Sequence, residues 1–218
     1  MKKLLFTLFV LLSSFAFGQE SQSHNKPLED LDVNFMLRGY FFAGSRIADR
    51  QALGGFGTSG NFPRPIEPNM NFRRGEISLV AIPDEEVVFA RKFKGMKVLL
   101  VNGTQAQVAF SASDSRLYIV QEARDRRGKW RPIEYLPSSW CGNSYHQVFL
   151  GAHEYWEFAA ARYTGRYKTK LRFRLTEYEG KTERLRVLSN EFEGSVNDKQ
   201  FTIQQGHTPA DIMDPYNN

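Results

Sequence analysis

The sequence predicts an all-β protein built as an antiparallel sandwich, and three observations carry that expectation. Short segments of alternating polar and apolar residues recur about every ten residues through the C-terminal half. Turn-forming residues stand between them. No stretch keeps the apolar period of a long amphipathic helix. The chain has 218 residues and a single cysteine, Cys141. An internal disulfide is therefore impossible, and a buried core must hold the fold.

Each element follows from its local pattern. Lys97 to Val101 reads as a short strand stopped by Asn102-Gly103, a turn dipeptide that also matches a glycosylation pattern but is read here as a hairpin. Gln105 to Phe110 and Arg116 to Gln121 alternate polar and apolar, and Arg127-Gly128 turns the chain into Lys129 to Tyr135. Next come Gln147 to Leu150, Tyr155 to Phe158, the long strand Tyr167 to Tyr178, and Arg184 to Ser189. The three alanines within 153–163 offer a short helix as the alternative there. Phe110, Tyr118, Phe149, Trp156, Phe158 and Phe173 are expected in the core.

Both ends and the N-terminal half read differently. Met1-Lys2-Lys3, the apolar run Leu4 to Leu12 and the small residues Ala16 and Gly18 form a signal peptide over 1–18. The expected location is therefore periplasmic or extracellular. No segment is long enough to span a membrane as a helix, which takes about 20 apolar residues. With Lys2 and Lys3 cleaved from 29 basic residues, 27 face 24 acidic ones, too mild an excess to point to nucleic acid. Residues 19–30 are polar and expected to be disordered. Residues 31–95 are expected to lie on the sandwich as strands plus a long Gly/Pro loop, Leu53 to Pro68. The sandwich core is assigned to 96–203 and a C-terminal tail to 204–218.

A family resemblance rests on one strand. Gly165-Arg166-Tyr167-Lys168-Thr169 resembles the G-x-Y-x-C opening of strand F in immunoglobulin-like domains, and the likeness extends over roughly residues 97–192. It implies an immunoglobulin-like or fibronectin type III-like antiparallel β-sandwich with an N-terminal strand and loop extension. In it, Tyr167 would make the corner hydrogen bond to upstream backbone. Thr169 stands where the family's cysteine would be, and the presumed strand C has no tryptophan, so an antibody-type domain is excluded. The ending VLSNEFEGSVNDKQF is similar to the tails of exported bacterial sandwich proteins, which carry no function across.

The candidate sites are few. Cys141 and His146, five residues apart, raise a thiolate-and-base reading. Against it, Trp140, Cys141, Gly142 and Asn143 suit a structured turn, with Gly-Asn tolerating positive φ and Trp140 packing at one end. In YKTKLRFRL, Lys168, Lys170, Arg172 and Arg174 occupy one strand face by period two, and the next strand adds Arg184 and Arg186. This basic face suits a polyanion or an acidic protein partner. Its counter-reading is a solvated face balanced by Glu122, Glu134, Glu177 and Glu183. Trp130, Tyr135 and Trp140 offer a sugar-stacking surface or, alternatively, packing under the N-terminal loop. His24, His146, His153 and His207 are scattered without metal-ligand spacing, so neither metal nor cofactor is expected. The sequence thus favours an exported, non-enzymatic binding or assembly module. Its rival is a secreted hydrolase or carbohydrate-active enzyme with a site at 53–68 and 137–146, for which Glu85-Glu86 or Glu134 with Asp114 offer acid pairs.

Overall fold

The computed structural model describes residues 26–216. The expected signal peptide, 1–18, and the segment 19–25 lie outside them. In chain order the strands are β1 (Leu37–Arg38), β2 (Arg64–Pro65), β3 (Ile77–Phe89), β4 (Phe93–Asn102), β5 (Val108–Ser113), β6 (Arg116–Leu117) and β7 (Ile119–Arg124). There follow β8 (Trp130–Pro132), β9 (Glu134–Tyr135), β10 (Tyr145–Leu150), β11 (Glu154–Ala161), β12 (Tyr167–Glu179), β13 (Thr182–Leu188) and β14 (Phe192–Val196). The stretch 153–163 is thus strand rather than helix. Its alanines pair with Lys97, Met96 and Gly95 of β4, Ala159 exposed and Ala160 and Ala161 buried.

Three antiparallel sheets pack around one core. The first runs β2-β11-β4-β3, the second β10-β5-β6, and the third β13-β12-β7-β8, with β14 also on β12. The long strand β12 organises the third sheet. Its first half pairs with β14, its second half with β13, and its middle with β7 along the other edge. Period-two patterning explains the sidedness: Leu171, Phe173 and Leu175 point into the core while Lys168 and Lys170 are exposed. Phe41, Val98, Leu100, Phe110, Leu117, Ile119, Ile133, Trp156 and Val196 complete the centre, all fully buried.

Several expectations need correction. The core does not begin at residue 96. β3 pairs with β4 along most of its length, and Leu31, Phe41, Ala43, Leu79 and Ala81 belong to the same buried cluster as the C-terminal strands. The described part of the polar segment 19–30 is held in place: Glu29 accepts from the Lys94 amide and donates its own N–H to the Lys92 carbonyl. At Asn102-Gly103 there is no two-residue hairpin. The Asn102 side chain is buried and donates to the carbonyls of Ala106, Leu150 and Gly151 at 2.8, 3.1 and 2.9 Å, tying the end of β4 to two loops. Tyr118 and Phe149 are half-buried rather than central.

The all-β sandwich is observed. The immunoglobulin-like detail is not, since the Tyr167 hydroxyl makes no corner hydrogen bond among the described residues. Tyr167 sits in the β12–β14 ladder opposite Val196, and the Arg126 guanidinium lies 4.7 Å from its ring centre.

Candidate functional site

The turn around Cys141 is built by its serines. Residues 142–144 form one turn of 310 helix. Ser139 Oγ accepts the Cys141 amide at 3.0 Å, and the same hydroxyl donates to Ser144 Oγ at 3.0 Å. The Tyr145 hydroxyl closes the loop, accepting from the Ser139 amide and donating to the Ser139 carbonyl. Trp140 lies 62% exposed with its amide on the Pro215 carbonyl. Gly142 and Asn143 are exposed, Leu53 approaching the first and Gly55 the second.

His146 is unsuited to act as a base for the half-buried Cys141. Its Nε2 accepts the Ser115 amide at 2.9 Å, which places its proton on Nδ1, beside the Gln147 carbonyl at 3.2 Å. Phe56 stacks on the ring at 3.7 Å between centres, and burial holds its pKa below the ordinary histidine value. Both nitrogens are engaged, Nε2 holding the 114–115 turn, where Asp114 and Ser115 adopt positive φ. The Gly/Pro loop docks on that turn: Gly57 N–H donates to Asp114 Oδ1 at 2.7 Å and Ser115 Oγ donates to the Gly57 carbonyl.

The members of the acid pairs are each engaged by other groups. Asp114 receives the Tyr216 hydroxyl at 2.6 Å. Glu134 is buried in the core, where its Oε1 accepts from Tyr40 and Tyr163 at 2.5 and 2.8 Å and its Oε2 accepts from the Gln121 amide at 2.9 Å. Glu85 pairs with Lys97, and Glu86 lies 3.9 Å from Arg162. Among the described residues no group of three or more histidine, cysteine or acidic side chains could hold a metal ion, and no helix is long and apolar enough to cross a membrane.

The basic face is assembled as the alternation implies, but its cations are engaged. Glu122 on β7 lies opposite Arg172 and bridges two arginines, Arg172 Nε at 2.9 Å and Arg174 Nε at 2.7 Å. Glu191, which no local pattern points to, receives Lys170 at 3.7 Å and Arg124 at 3.3 Å. Arg186 pairs with Glu183. A bulge between Glu177 and Tyr178 shifts the register, and Arg184 reaches the buried Glu177 at 3.4 Å instead of joining the row. Lys168 alone of the six has no carboxylate partner among the described residues. The Trp130 ring is occupied by the guanidiniums of Arg172 and Arg124, at 4.1 and 4.9 Å, and the Tyr135 hydroxyl donates to the Gln205 carbonyl. The Trp130 ring is therefore not left as an open stacking platform.

A different feature stands out where two sheets meet. β3 is the last strand of the first sheet and β13 the last of the third. Between them runs a groove of about 1420 Å³. Its floor is the outer face of the first sheet, where Val80, Ile82, Leu99 and Tyr155 pack with Met70 and Phe72. At its closed end the Asn190 side chain accepts the Ala81 amide at 2.9 Å and donates to the Ala81 carbonyl at 3.0 Å, as one residue of a neighbouring strand would.

The antiparallel pattern then settles which backbone groups face the groove. Bonded and non-bonded pairs alternate, so Ile77 and Leu79, in phase with Ala81, turn their N–H and C=O away from β4. On β13, Ser189 bonds Phe173 of β12, so Arg186 and Leu188 are the out-of-phase residues and also face outward. Ile77, Leu79, Arg186 and Leu188 have no backbone partner on the groove side among the described residues. Two strand edges thus face one another unpaired. Sequence reasoning located β13, as Arg184 to Ser189, but neither edge, because edge position depends on long-range pairing.

Comparison of the chain with protein-family models, with curated proteins and with solved structures found no match, so the functional reading rests on this geometry.

Proposed function

We propose that the protein is an exported, non-catalytic binding or assembly module that accepts an extended segment of a partner protein as an added strand between β3 and β13. The observation that carries it is the pair of facing unpaired edges, with Asn190 filling one strand position at the end of the slot. Exposed edges template strand addition, and proteins ordinarily cover or blunt them. Here main-chain pairing would supply affinity on both sides, and the apolar floor at Val80, Ile82 and Leu99 would select alternate side chains of the incoming strand. Export rests on the Lys2-Lys3 and Leu4–Leu12 pattern. A polyanion on the basic face is the weaker reading, because Glu122, Glu183 and Glu191 already neutralise most of that row.

The test is amide hydrogen exchange on the mature chain, alone and with heptapeptides selected against it by phage display. The amides of Ile77, Leu79, Arg186 and Leu188 are expected to exchange fast in the free protein and slow on peptide binding. Leu188→Pro removes an outward N–H without touching the β12 ladder, and it is expected to lower peptide affinity about tenfold or more while the fold survives. Protection of these amides in the free monomer, or selected peptides that protect another surface, sinks the proposal. Protection that grows with protein concentration alone assigns the slot to a second copy instead.

A further inference from the structure

The turn between β5 and β6 gathers three segments that are far apart in sequence. The Gly/Pro loop reaches it through the Gly57 amide on Asp114 Oδ1. The turn around Cys141 reaches it through the Ser144 carbonyl, which accepts the Asp114 amide at 2.8 Å. The C-terminal tail reaches it through the Tyr216 hydroxyl on Asp114 Oδ2. The three also touch one another: Leu53 Cδ1 approaches Gly142, and the Trp140 amide donates to the Pro215 carbonyl.

Each of these segments holds a large apolar side chain in water. Ile212 is 93% exposed, Leu53 and Met213 are each 75% exposed, and Trp140 is 62% exposed. Among the described residues these are the four most exposed large hydrophobic side chains, and all four fall on segments that meet at one turn. The loop that carries Ile212 and Met213 is tied at its base. Asp214 accepts the Ala210 and Tyr216 amides at 3.0 Å each and pairs with His207 at 3.0 Å, while Asp211 accepts the Met213 amide at 2.7 Å. A tethered loop that keeps its apolar side chains in water forgoes the burial that drives folding, and such clusters mark contact surfaces.

We propose that this corner of the molecule docks on a lipid bilayer, with Leu53, Trp140, Ile212 and Met213 entering the boundary between headgroups and acyl chains. A stable protein interface takes about 20–30 residues a side packed as one continuous surface. Here four side chains stand on three separate tips with polar backbone between them. A fluid interface closes around each tip without needing a matched shape, and tryptophan favours that boundary. The charges on the three segments are Arg46 and Arg50 against Asp49, Asp211 and Asp214. They nearly balance, so the apolar side chains carry the attraction and neutral lipid suffices.

The test is titration of the mature chain with phosphatidylcholine vesicles, read by tryptophan emission. Trp156 is fully buried and two guanidiniums cover Trp130, so a change reports Trp140. A blue shift is expected, with quenching by brominated acyl chains, and it should persist at high salt. Ile212→Asp and Leu53→Asp alter side chains that the fold leaves exposed. Tm is expected to stay at the parent value while vesicle binding falls about tenfold or more. Leu188→Asp, at the β3–β13 groove, is expected to leave vesicle binding unchanged. Absence of a lipid-dependent blue shift overturns the proposal, as does a loss in the Leu188 variant equal to that in the other two. Binding confined to anionic vesicles and lost at high salt would assign the contact to the basic sheet face instead. A blue shift that grows with protein concentration alone would assign the corner to a second copy.

Discussion

Glu134 is a carboxyl group in the wrong solvent. Burial pushes its pKa up to about 7 against the opposing pull of the Tyr40, Gln121 and Tyr163 hydrogen bonds. The same burial and the neighbouring carboxylate hold the Tyr40 and Tyr163 hydroxyls well above the usual tyrosine value, so both remain donors at any moderate pH. Because the folded pKa lies above the unfolded one, the native state binds the proton more tightly. The stabilisation is complete below about pH 4.5 and is lost as pH rises through about 7, on the order of 3 kcal/mol in total. His146 runs the other way: burial lowers its pKa, so stability falls as pH drops below the ordinary histidine value. Glu134→Gln is therefore expected to flatten the decline in denaturant-unfolding free energy between pH 5 and 8; an unchanged slope would place the proton elsewhere. Little of this was legible in the sequence. Glu134 and Tyr163 are residues anyone would assign to a surface or a strand, and only the three-dimensional convergence of Tyr40, Gln121 and Tyr163 buries the acid. Gln121 did carry a signal, a polar residue in phase with Leu117, Ile119 and Ala123, which alternation alone treats as noise.

At the scale of the element, β12 was the most readable part of the chain. Its alternation predicted which side chains face the core, and the structure agrees residue by residue from Tyr167 to Leu175. What alternation cannot supply is the neighbour: Glu122 lies 50 residues away and Glu191 beyond a hairpin, and they convert a row of cations into a paired lattice. Glu122 matters most, since its side chain is 7% exposed and takes both guanidiniums. Glu122→Gln leaves two arginines facing one neutral acceptor. A loss of about 2 kcal/mol is expected, below the value for a fully buried pair because both arginines keep some contact with water. The same variant frees positive charge, so it should bind heparin resin more tightly than the parent. If retention does not rise, the paired lattice is not what limits the face.

At the scale of the whole molecule, the described fold is closed where residues 31–43 meet the tail. The expected tail, 204–218, carried no pattern of its own, yet it returns to meet residues 31–43, which bridge Tyr163, β9 and Arg116. Met36 bridges Gln204, β1 lies parallel to β9, and Phe42 bridges Arg116. The tail then runs to Tyr216, whose hydroxyl engages Asp114 and Ser113 while Arg38 and Arg116 lie over its ring at 5.3 and 5.2 Å. Arg38 belongs to the N-terminal segment, Arg116 to β6, and Asp114 to the strained turn that His146 and the Gly/Pro loop also hold. Removing residues 206–218 therefore undoes a junction between the N-terminal segment at Arg38, the β5–β6 turn at Asp114 and Arg116, and the tail itself, rather than trimming an end. The expected cost is about 2 kcal/mol, which for a chain of this size is a fall of roughly 4–8 °C in Tm. Tyr216→Phe keeps the ring over the arginines but loses the Asp114 hydrogen bond, so it should reproduce only part of that fall. Faster amide exchange at Asp114 and Ser115 in both variants would locate the loss at the junction. A truncated chain that melts with the parent would show that the tail rests on the fold without contributing to it.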